Sequence, residues 1–365
     1  MNQIEDAKKL VAETFACIQT APSIRTALGE AFGMPPGELV EGKMITALRM
    51  LGFKRIFETD FGAEIRVMEE AAELKERLDK NDRLPMFTSC CPSWVGICVK
   101  MYPDILPYLS TCKSPMEMVS SLAKDYLVYE RKWGNVTISS IMPCFAKKLE
   151  VKEGHTDCVL TTMELVNWMK SEGINLPDLR EGFYDAPFGM SSSAGSIYAS
   201  TGGVAEATLR TFSALYGSFC RPGTHLYKED IIADGIREVK LKCGEYKIKV
   251  AMVEGPSGIS NFCKAFREGK NHDYHMVEMM NCHGGCVGGA GMPNVGNDEF
   301  ITKRIGALRN HDDNAVMTAA HENPLVKELY KNYLGKPYGP KSKRILHIEN
   351  FNEIFGGGQQ APPKA

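Results

Sequence analysis

The chain has 365 residues, of which 44% are hydrophobic and 24% are charged, an ordinary balance for a globular protein. Its formal net charge is −2, which argues against a protein that binds nucleic acid or an anionic membrane surface. No stretch approaches the roughly 18 uninterrupted apolar residues of a membrane-spanning helix, so no membrane partner is expected. The length alone corresponds to two or three domains.

The first quarter of the chain is predicted to be mostly helical. Residues 3–32 have helical spacing that is interrupted at the small-residue turn 21–23. Three elements are predicted to follow, namely a helix at 36–51, a strand at 54–59 and a helix at 62–79.

Strands alternate with helices in the middle of the chain, which indicates a parallel α/β architecture. The predicted elements are strands at 84–87, 136–142 and 159–161 and a helix at 163–171. A small-residue turn after Met190 leads into a helix, and residues 236–254 are predicted to form a hairpin that turns at Gly244. Residues 356–365 are expected to be a disordered C-terminal tail.

Twelve cysteines are the unusual feature of the composition. The N-terminus has no apolar export signal and no twin arginine, so a cytoplasmic location is expected. Thiols that stay reduced serve metal binding or catalysis, or are buried as small hydrophobic residues. Seven cysteines lie singly in apolar or mixed segments and are expected to be packing residues: Cys17, Cys98, Cys112, Cys158, Cys220, Cys243 and Cys263.

The other cysteines lie at three places that can form one metal site. Cys90-Cys91 and Cys144 each follow a predicted strand, where sites form in open α/β sheets. Cys282 and Cys286 are separated by His-Gly-Gly, a spacing that can bring both thiolates to one side of a turn. Four thiolates from three loops suit a cubane iron–sulfur cluster. Zinc is the competing metal, although its structural sites favour two short Cys pairs.

Three segments around these cysteines resemble, in order, the three signatures of [FeFe]-hydrogenases. They are residues 88–94 (TSCCPSW), 142–150 (MPCFAKKLE) and 280–289 (MNCHGGCVGG). Supporting matches lie at 21–23 (APS), 57–61 (FETDF), 68–70 (MEE) and 201–204 (TGGV). The resemblance covers nearly the whole chain and is specific because it rests on three signatures together.

The resemblance implies an α/β fold of two lobes, each with a parallel sheet flanked by helices, and an active-site cluster in the cleft between them. Residues 1–355 would form this one two-lobed catalytic domain. The implied cofactor is an H-cluster, in which a [4Fe-4S] cubane is linked by a cysteine thiolate to a two-iron unit with CO, cyanide and azadithiolate ligands. The implied reaction is reversible H2 oxidation and proton reduction.

Matching the signatures residue by residue assigns the cofactor site. The implied metal ligands are Cys91, Cys144, Cys282 and Cys286, the last bridging to the two-iron unit. Lys147 follows Cys144 by three residues and could donate to a cyanide ligand, the alternative being a surface lysine. The other residues expected to contact the cofactor are Ala21, Pro22, Ser23, Met142 and Met280.

A proton relay is implied next to the ligands. A thiol at Cys90 can pass protons, the alternative being an inert buried cysteine. Glu70, Glu73 and Arg77 share one helix face, which in most proteins is solvated and ion-paired. The resemblance instead assigns both glutamates to a relay from Cys90, with Ser110 bridging and Arg77 near the exit.

The chain departs from the family pattern in part of its third signature and upstream of it. The departures are Asn281, His283, Ala290 and Met292, together with Met116 where glutamine is common. His283 would add a hydrogen-bond donor near the cubane. The sequence contains no Cys-x2-Cys-x2-Cys-x3-Cys run, so the cubane is expected to be its one electron relay.

The expected partners are a ferredoxin-like redox protein or a cluster-bearing subunit, and maturation proteins that deliver the two-iron unit. Two alternatives to an active hydrogenase are a sensory member with low turnover and a non-enzymatic iron–sulfur assembly factor. Cys90 and the Glu70–Glu73 pair favour catalysis over sensing. Cys90 together with Lys147 argues against an assembly factor, and a structural zinc protein is a remote fourth possibility.

Overall fold

Two β-sheets flanked by helices form the fold of the computed structural model, which describes residues 3–130, 132–217 and 229–356. The strands are β1 (Phe15–Thr20), β2 (Arg55–Glu58), β3 (Met86–Phe87), β4 (Val136–Met142), β5 (Cys158–Thr161), β6 (Asp230–Ala233), β7 (Ile236–Cys243), β8 (Tyr246–Glu254) and β9 (Met276–Met280). The helices are α1 (Gln3–Glu13), α2 (Glu41–Met50), α3 (Thr59–Lys80), α4 (Pro92–Met101), α5 (Pro115–Leu122), α6 (Thr162–Ser171), α7 (Ser193–Ile197), α8 (Gly203–Tyr216), α9 (Gly255–Arg267), α10 (Asp298–Asp313), α11 (Pro324–Leu329), α12 (Pro340–Leu346) and α13 (Phe351–Phe355). None of these helices is both long and apolar enough to cross a membrane.

The first sheet is four-stranded and parallel throughout, in the order β2-β1-β4-β5. The second sheet has the order β3-β9-β8-β7-β6 and is parallel from β3 to β8. The hairpin predicted at 236–254 forms β7 and β8 and extends this sheet in antiparallel fashion. The predicted α/β class is therefore confirmed, with a second sheet that is mixed.

The prediction of a helix through residues 3–32 is wrong after Glu13. Residues 15–20 (FACIQT) form β1, the strand between β2 and β4, and five of its six residues are buried. A fully covered strand shows no alternation, so its short apolar run cannot be told from a helix by spacing. The same pattern explains why β9, buried at every position, was not predicted.

The remaining predictions hold with shifted ends. The helix expected at 36–51 begins at Glu41, and the helix expected at 62–79 is α3, which begins at Thr59. Strand β4 has the predicted bounds, whereas β3 is reduced to Met86–Phe87. Cys220 and residues 357–365, which make up all but the first residue of the predicted tail, lie outside the described residues.

Helix α3 packs closely against α5. At Gly62 an added Cβ would collide with the backbone oxygen of Pro115 and lie 2.7 Å from Cγ2 of Val119. Because a backbone atom cannot swing aside as a side chain can, the two helices have to separate to accept any side chain there. The glycine therefore sets the distance between α3 and α5.

We expect Gly62→Ala to lower the free energy of unfolding by about 1–3 kcal/mol, because the new methyl group overpacks the α3–α5 contact. Denaturant unfolding followed by circular dichroism measures the change. Gly306→Ala is the matched control, since that glycine lies inside α10 with no atom within 4 Å of the added Cβ. The control should be neutral or stabilising by up to about 1 kcal/mol. Equal midpoints for the two variants would contradict the close α3–α5 contact.

Candidate active site

A cavity of about 210 Å³ lies where strands of both sheets end. Loops that follow the carboxyl ends of β1, β3, β4 and β9 all line it, which places it between the two sheets. The sequence-predicted residues among its lining are Ala21, Pro22, Ser23, Cys90, Cys91, Met142, Cys144, Lys147, Met280, Cys282 and Cys286. The fold therefore gathers the predicted ligand set and its neighbours in one volume.

The four predicted ligand cysteines are free thiols that act on one another. Burial raises the pKa of Cys144 to about 11, and neighbouring Cys91 adds to the shift. Burial likewise raises the pKa of Cys282 to about 12, with contributions from Cys91 and Cys144. Burial also raises the pKa of Cys286, and the other three predicted ligand thiols raise it further. Thiols that repel one another's charge in a buried space suit a metal centre, whose positive charge stabilises the thiolates.

Three polar atoms of cavity-lining residues fit a bound polar group. Ser23 Oγ, Tyr198 OH and Asn281 Oδ1 are buried and have no hydrogen-bond partner among the described residues. Buried polar groups in folded proteins are nearly always paired, so these three atoms are available to hydrogen-bond a polar group in the cavity. The residues present therefore fit a cofactor with polar ligands. Tyr198 was not predicted, because only the fold brings it to the cysteine loops.

The third cysteine loop depends on glycine. Gly285 has φ of +85°, in the left-handed region that side chains disfavour. A Cβ at this position would lie 2.7 Å from the backbone nitrogen of Thr201. The Gly-Gly pair between Cys282 and Cys286 thus lets the loop turn tightly against its neighbour, so that both thiols reach the cavity.

Lys147 is buried, so the alternative of a surface lysine is wrong. Its Nζ donates to the backbone oxygen of Cys90 at 3.3 Å and to Glu150 Oε2 at 3.0 Å. Burial alone lowers the pKa of Lys147, but Glu150 outweighs it and the net shift is upward. The ammonium is therefore charged at neutral pH. Glu150 was not predicted, although its position three residues after Lys147 is the signal that could have found it.

The predicted relay residues are buried, so their face of α3 is not the solvated surface of the alternative interpretation. Ser110 Oγ donates to Glu73 Oε2 at 2.8 Å, and Arg77 donates to Glu73 Oε1 at 2.7 Å. Burial raises the pKa of Glu73, but Arg77 outweighs it and leaves the pKa below its ordinary value. Ser110, Glu73 and Arg77 thus form one connected group around an ionised carboxylate.

In the inner half of the predicted relay, Glu70 acts electrostatically on Cys90 but is not hydrogen-bonded to it. Arg66 donates to Glu70 Oε1 at 2.8 Å, while Glu70 Oε2 is buried without a hydrogen-bond partner in the described part of the chain. Burial raises the pKa of Cys90 to about 12, and both Arg66 and Glu70 act on it. Among the described residues no hydrogen bond joins Cys90 to Glu70 or Glu70 to Ser110. A bridging water at each gap would complete the chain.

The departures from the family pattern separate into two groups. Three departures line the cavity, namely Asn281, Ala290 and Met116. Met292 is buried outside the cavity, and its sulfur accepts a hydrogen bond from Thr162 Oγ1 at 3.0 Å. His283 does not line the cavity either, and the expectation of a donor near the cubane is not supported. Its side chain is 65% exposed and faces two carboxylates, at 3.0 Å from Glu254 and 3.7 Å from Asp298.

Two family models match the chain. The model described as iron only hydrogenase large subunit, C-terminal domain, matches residues 14–290. The model described as iron hydrogenase small subunit matches residues 298–350. Together they span both sheets and helices α10 to α12.

Among curated proteins, the NADP-reducing hydrogenase subunit HndD of Solidesulfovibrio fructosivorans is 38% identical over 92% of this chain. Iron hydrogenase 1 of Clostridium pasteurianum is 37% identical over 96% of it. The chain spans 60% and 63% of the lengths of these two relatives. More distant relatives include the cytosolic iron-sulfur assembly component 3 of Mus musculus, 28% identical over 96% of this chain and 77% of the relative.

The structure is similar to solved structures of the same kind. An [FeFe]-hydrogenase from Chlamydomonas reinhardtii superposes with a TM-score of 0.84 at 32% identity, covering 95% of this chain and 98% of that one. A further sequence relative among the curated proteins, the periplasmic [Fe] hydrogenase large subunit of Nitratidesulfovibrio vulgaris, is 41% identical over 79% of this chain and 71% of the relative. The motifs, the fold and these similarities agree, and the chain belongs to the iron-only hydrogenase family.

Proposed function

We propose that the chain catalyses reversible H2 oxidation and proton reduction at an H-cluster held in the cavity between the two sheets. The observation that supports this most is the buried group of Glu70, Ser110, Glu73 and Arg77 behind Cys90. Burying charged side chains is costly unless they are paired or have a task. A row of buried polar side chains that starts beside a thiol-lined cavity suits proton transfer to a reaction inside that cavity.

Cys91, Cys144, Cys282 and Cys286 would hold the [4Fe-4S] cubane, and the Cys286 thiolate would be shared with the two-iron unit and its CO, cyanide and azadithiolate ligands. When bound, this cofactor supplies the redox chemistry that interconverts H2 with protons and electrons. Zinc, the competing metal for four thiolates, is disfavoured because the polar atoms around the cavity have no role at a closed zinc site.

The cavity wall would orient the cofactor. The Lys147 ammonium is fixed by Cys90 and Glu150, so it presents positive charge and a hydrogen-bond donor to an anionic ligand. The unpartnered Ser23 hydroxyl offers a second donor, next to Ala21 and Pro22. Met142 and Met280 would supply soft, polarizable contacts that exclude water.

Protons would move along residues of this chain. Cys90 Sγ would exchange a proton with the reaction in the cavity. Glu70 Oε2, which has no hydrogen-bond partner among the described residues, would receive that proton from Cys90 through water. Ser110 can pass a proton because its hydroxyl both donates and accepts. Glu73, kept ionised by Arg77, is the acceptor beyond it.

Electrons would be exchanged with a ferredoxin-like protein or a cluster-bearing subunit, and maturation proteins would deliver the two-iron unit. The cytoplasmic location stays a prediction from the sequence. We treat residues 1–355 as one catalytic unit, because both sheets contribute to the cavity.

The alternative of an iron–sulfur assembly factor has support in relatives that are 27–28% identical over more than nine tenths of this chain. Such a protein would use the four ligand cysteines without a proton path. A sensory hydrogenase with low turnover would share the whole site. The placement of Cys90 and Lys147 on the cavity wall favours a catalytic hydrogenase over an assembly factor. The rate of H2 turnover separates a catalytic hydrogenase from a sensory one.

We expect the chain, once it carries the [4Fe-4S] cluster and is loaded with a two-iron cofactor, to show infrared bands of CO and cyanide, because the cavity offers a thiolate and hydrogen-bond donors to that unit. Infrared spectroscopy with iron quantification checks this. Cys286→Ala should lose the bands, whereas Cys263→Ala, a buried cysteine outside the cavity, should retain them. Normal iron–sulfur absorption with no CO or cyanide bands would refute the hydrogenase proposal.

We expect Cys90→Ala to reduce H2 evolution about 100- to 10,000-fold, the range for loss of a positioned proton-transfer group. The infrared bands of the loaded cofactor should persist, because Cys90 is not a ligand. Gas chromatography of H2 from a reduced viologen dye measures the rate, again with Cys263→Ala as the control. A rate within about threefold of the parent chain would remove Cys90 from the relay.

A further inference from the structure

A second group of metal-binding side chain types lies outside the cysteine cavity. Ligand atoms of Glu117, Glu153 and His155 all lie within 4.8 Å of one another. Glu117 lies on α5, whereas Glu153 ends the 3-10 helix Phe145–Glu153 and His155 follows it. Residues far apart in the sequence thus bring two carboxyls and an imidazole to one point.

Two atoms of this group lack a hydrogen-bond partner among the described residues. Glu117 Oε2 is buried and has no hydrogen-bond partner in the described part of the chain, and the same is true of His155 Nδ1, 3.6 Å away. Glu117 itself is fully buried, and its other oxygen accepts from Thr156. A buried carboxylate oxygen and a ring nitrogen that face each other without hydrogen bonding leave a polar space between them that a cation could fill.

A comparable cluster elsewhere shows the difference. Glu73, Cys112 and His347 also place their ligand atoms within 4.8 Å of one another. There, however, Glu73 accepts from Ser110 and Arg77, and both ring nitrogens of His347 are hydrogen-bonded. That cluster has no need of an ion. Because the hydrogen bonds of that cluster are complete, the unpartnered Glu117 Oε2 and His155 Nδ1 are the better evidence for a bound ion.

The charge state of the second group suits exchange of protons for a cation. Burial raises the pKa of Glu117 to about 8 and that of Glu153 to about 9, so both carboxyls bind protons more tightly than an ordinary glutamate does. Burial lowers the pKa of His155 to about 4, so the imidazole is neutral and has a free lone pair. The other charged groups that act on the three are Lys113, Lys124, Asp125, Lys147 and Glu150.

We propose that Glu117, Glu153 and His155 bind one divalent first-row metal ion of the Mn²⁺ to Zn²⁺ class. Two carboxylates with a neutral imidazole are a common ligand set for these ions. The ion enters from solvent past His155, whose side chain is 33% exposed, and water fills its remaining positions. Any proton that the two carboxyls hold leaves to solvent as the ion binds, so no oxidant or other reactant is required.

The ion would fasten two parts of the cavity wall to each other. Helix α5 carries Pro115 and Met116, which line the cysteine cavity, and the 3-10 helix Phe145–Glu153 carries Lys147. A metal held by Glu117 from one side and by Glu153 and His155 from the other cross-links these elements behind the cavity. Its role would be structural and separate from the four cysteine ligands.

The test is a titration with Mn²⁺, which prefers oxygen and nitrogen ligands to thiolates. It uses the untagged chain with its [4Fe-4S] cluster in place, and electron paramagnetic resonance measures free Mn²⁺. We expect about one bound Mn²⁺ per chain, displaced by Zn²⁺. His155→Gln and Glu117→Gln should each weaken the affinity at least about tenfold, since even second-shell changes cost that much.

His283→Gln is the matched control, because His283 is an exposed histidine that also faces two carboxylates. It should leave the Mn²⁺ affinity unchanged. Absence of stoichiometric binding in the parent chain, parent-like affinity in the two ligand variants, or loss of binding in the control would each overturn the proposal. If Glu117→Gln does not fold, His155→Gln decides alone. No H2 assay is involved, so failure here is distinguishable from failure of the proposed function.

Discussion

The pairing of the buried charges on helix α3 is the constraint on which the rest of the structure depends. One guanidinium, that of Arg66, donates to Glu70 at 2.8 Å, to Ser89 at 3.1 Å, and to the backbone oxygens of Cys112 and Lys113 at 2.9 and 2.6 Å. These bonds fix the helix to Ser89, directly before Cys90, and to the separate loop at Cys112 and Lys113. Removing one partner of such a buried pair typically costs about 3–5 kcal/mol, so the helix has little freedom to move.

The same constraint explains why the site can be rigid and polar at once. Along α3 most charged groups are matched by a partner, as Glu64 is by Asn323 at 2.6 Å and Glu69 is by His347 at 3.0 Å. On the cavity side the polar atoms of Ser23, Tyr198 and Asn281 are left open. Unpartnered polar atoms also occur on α3 itself, at Asp60, Arg66, Glu70 and Arg77, but those on the cavity wall are placed to contact a bound group.

The sequence was informative where local chemistry determines the outcome. Strand β4 was predicted with its exact bounds, since its β-branched run lies between turn residues. The four cysteines predicted as metal ligands line one cavity because the ends of parallel strands meet, and their role as ligands stays a prediction. Strand β1 was missed because a strand covered on both faces has no alternation. Tyr198 was missed, and His283 was expected to place a donor near the cubane although its exposed side chain faces Glu254, because side-chain direction depends on packing between distant segments.

The cavity draws its walls from segments that are far apart along the chain. The turn after β1 lines it at Ala21, and the loop after β9 supplies the last thiol at Cys286. The four cysteines predicted as ligands are complete only once the chain has been made as far as Cys286, after the last strand, β9. A group held by all four thiols could therefore bind only after the strands of both sheets have been synthesised.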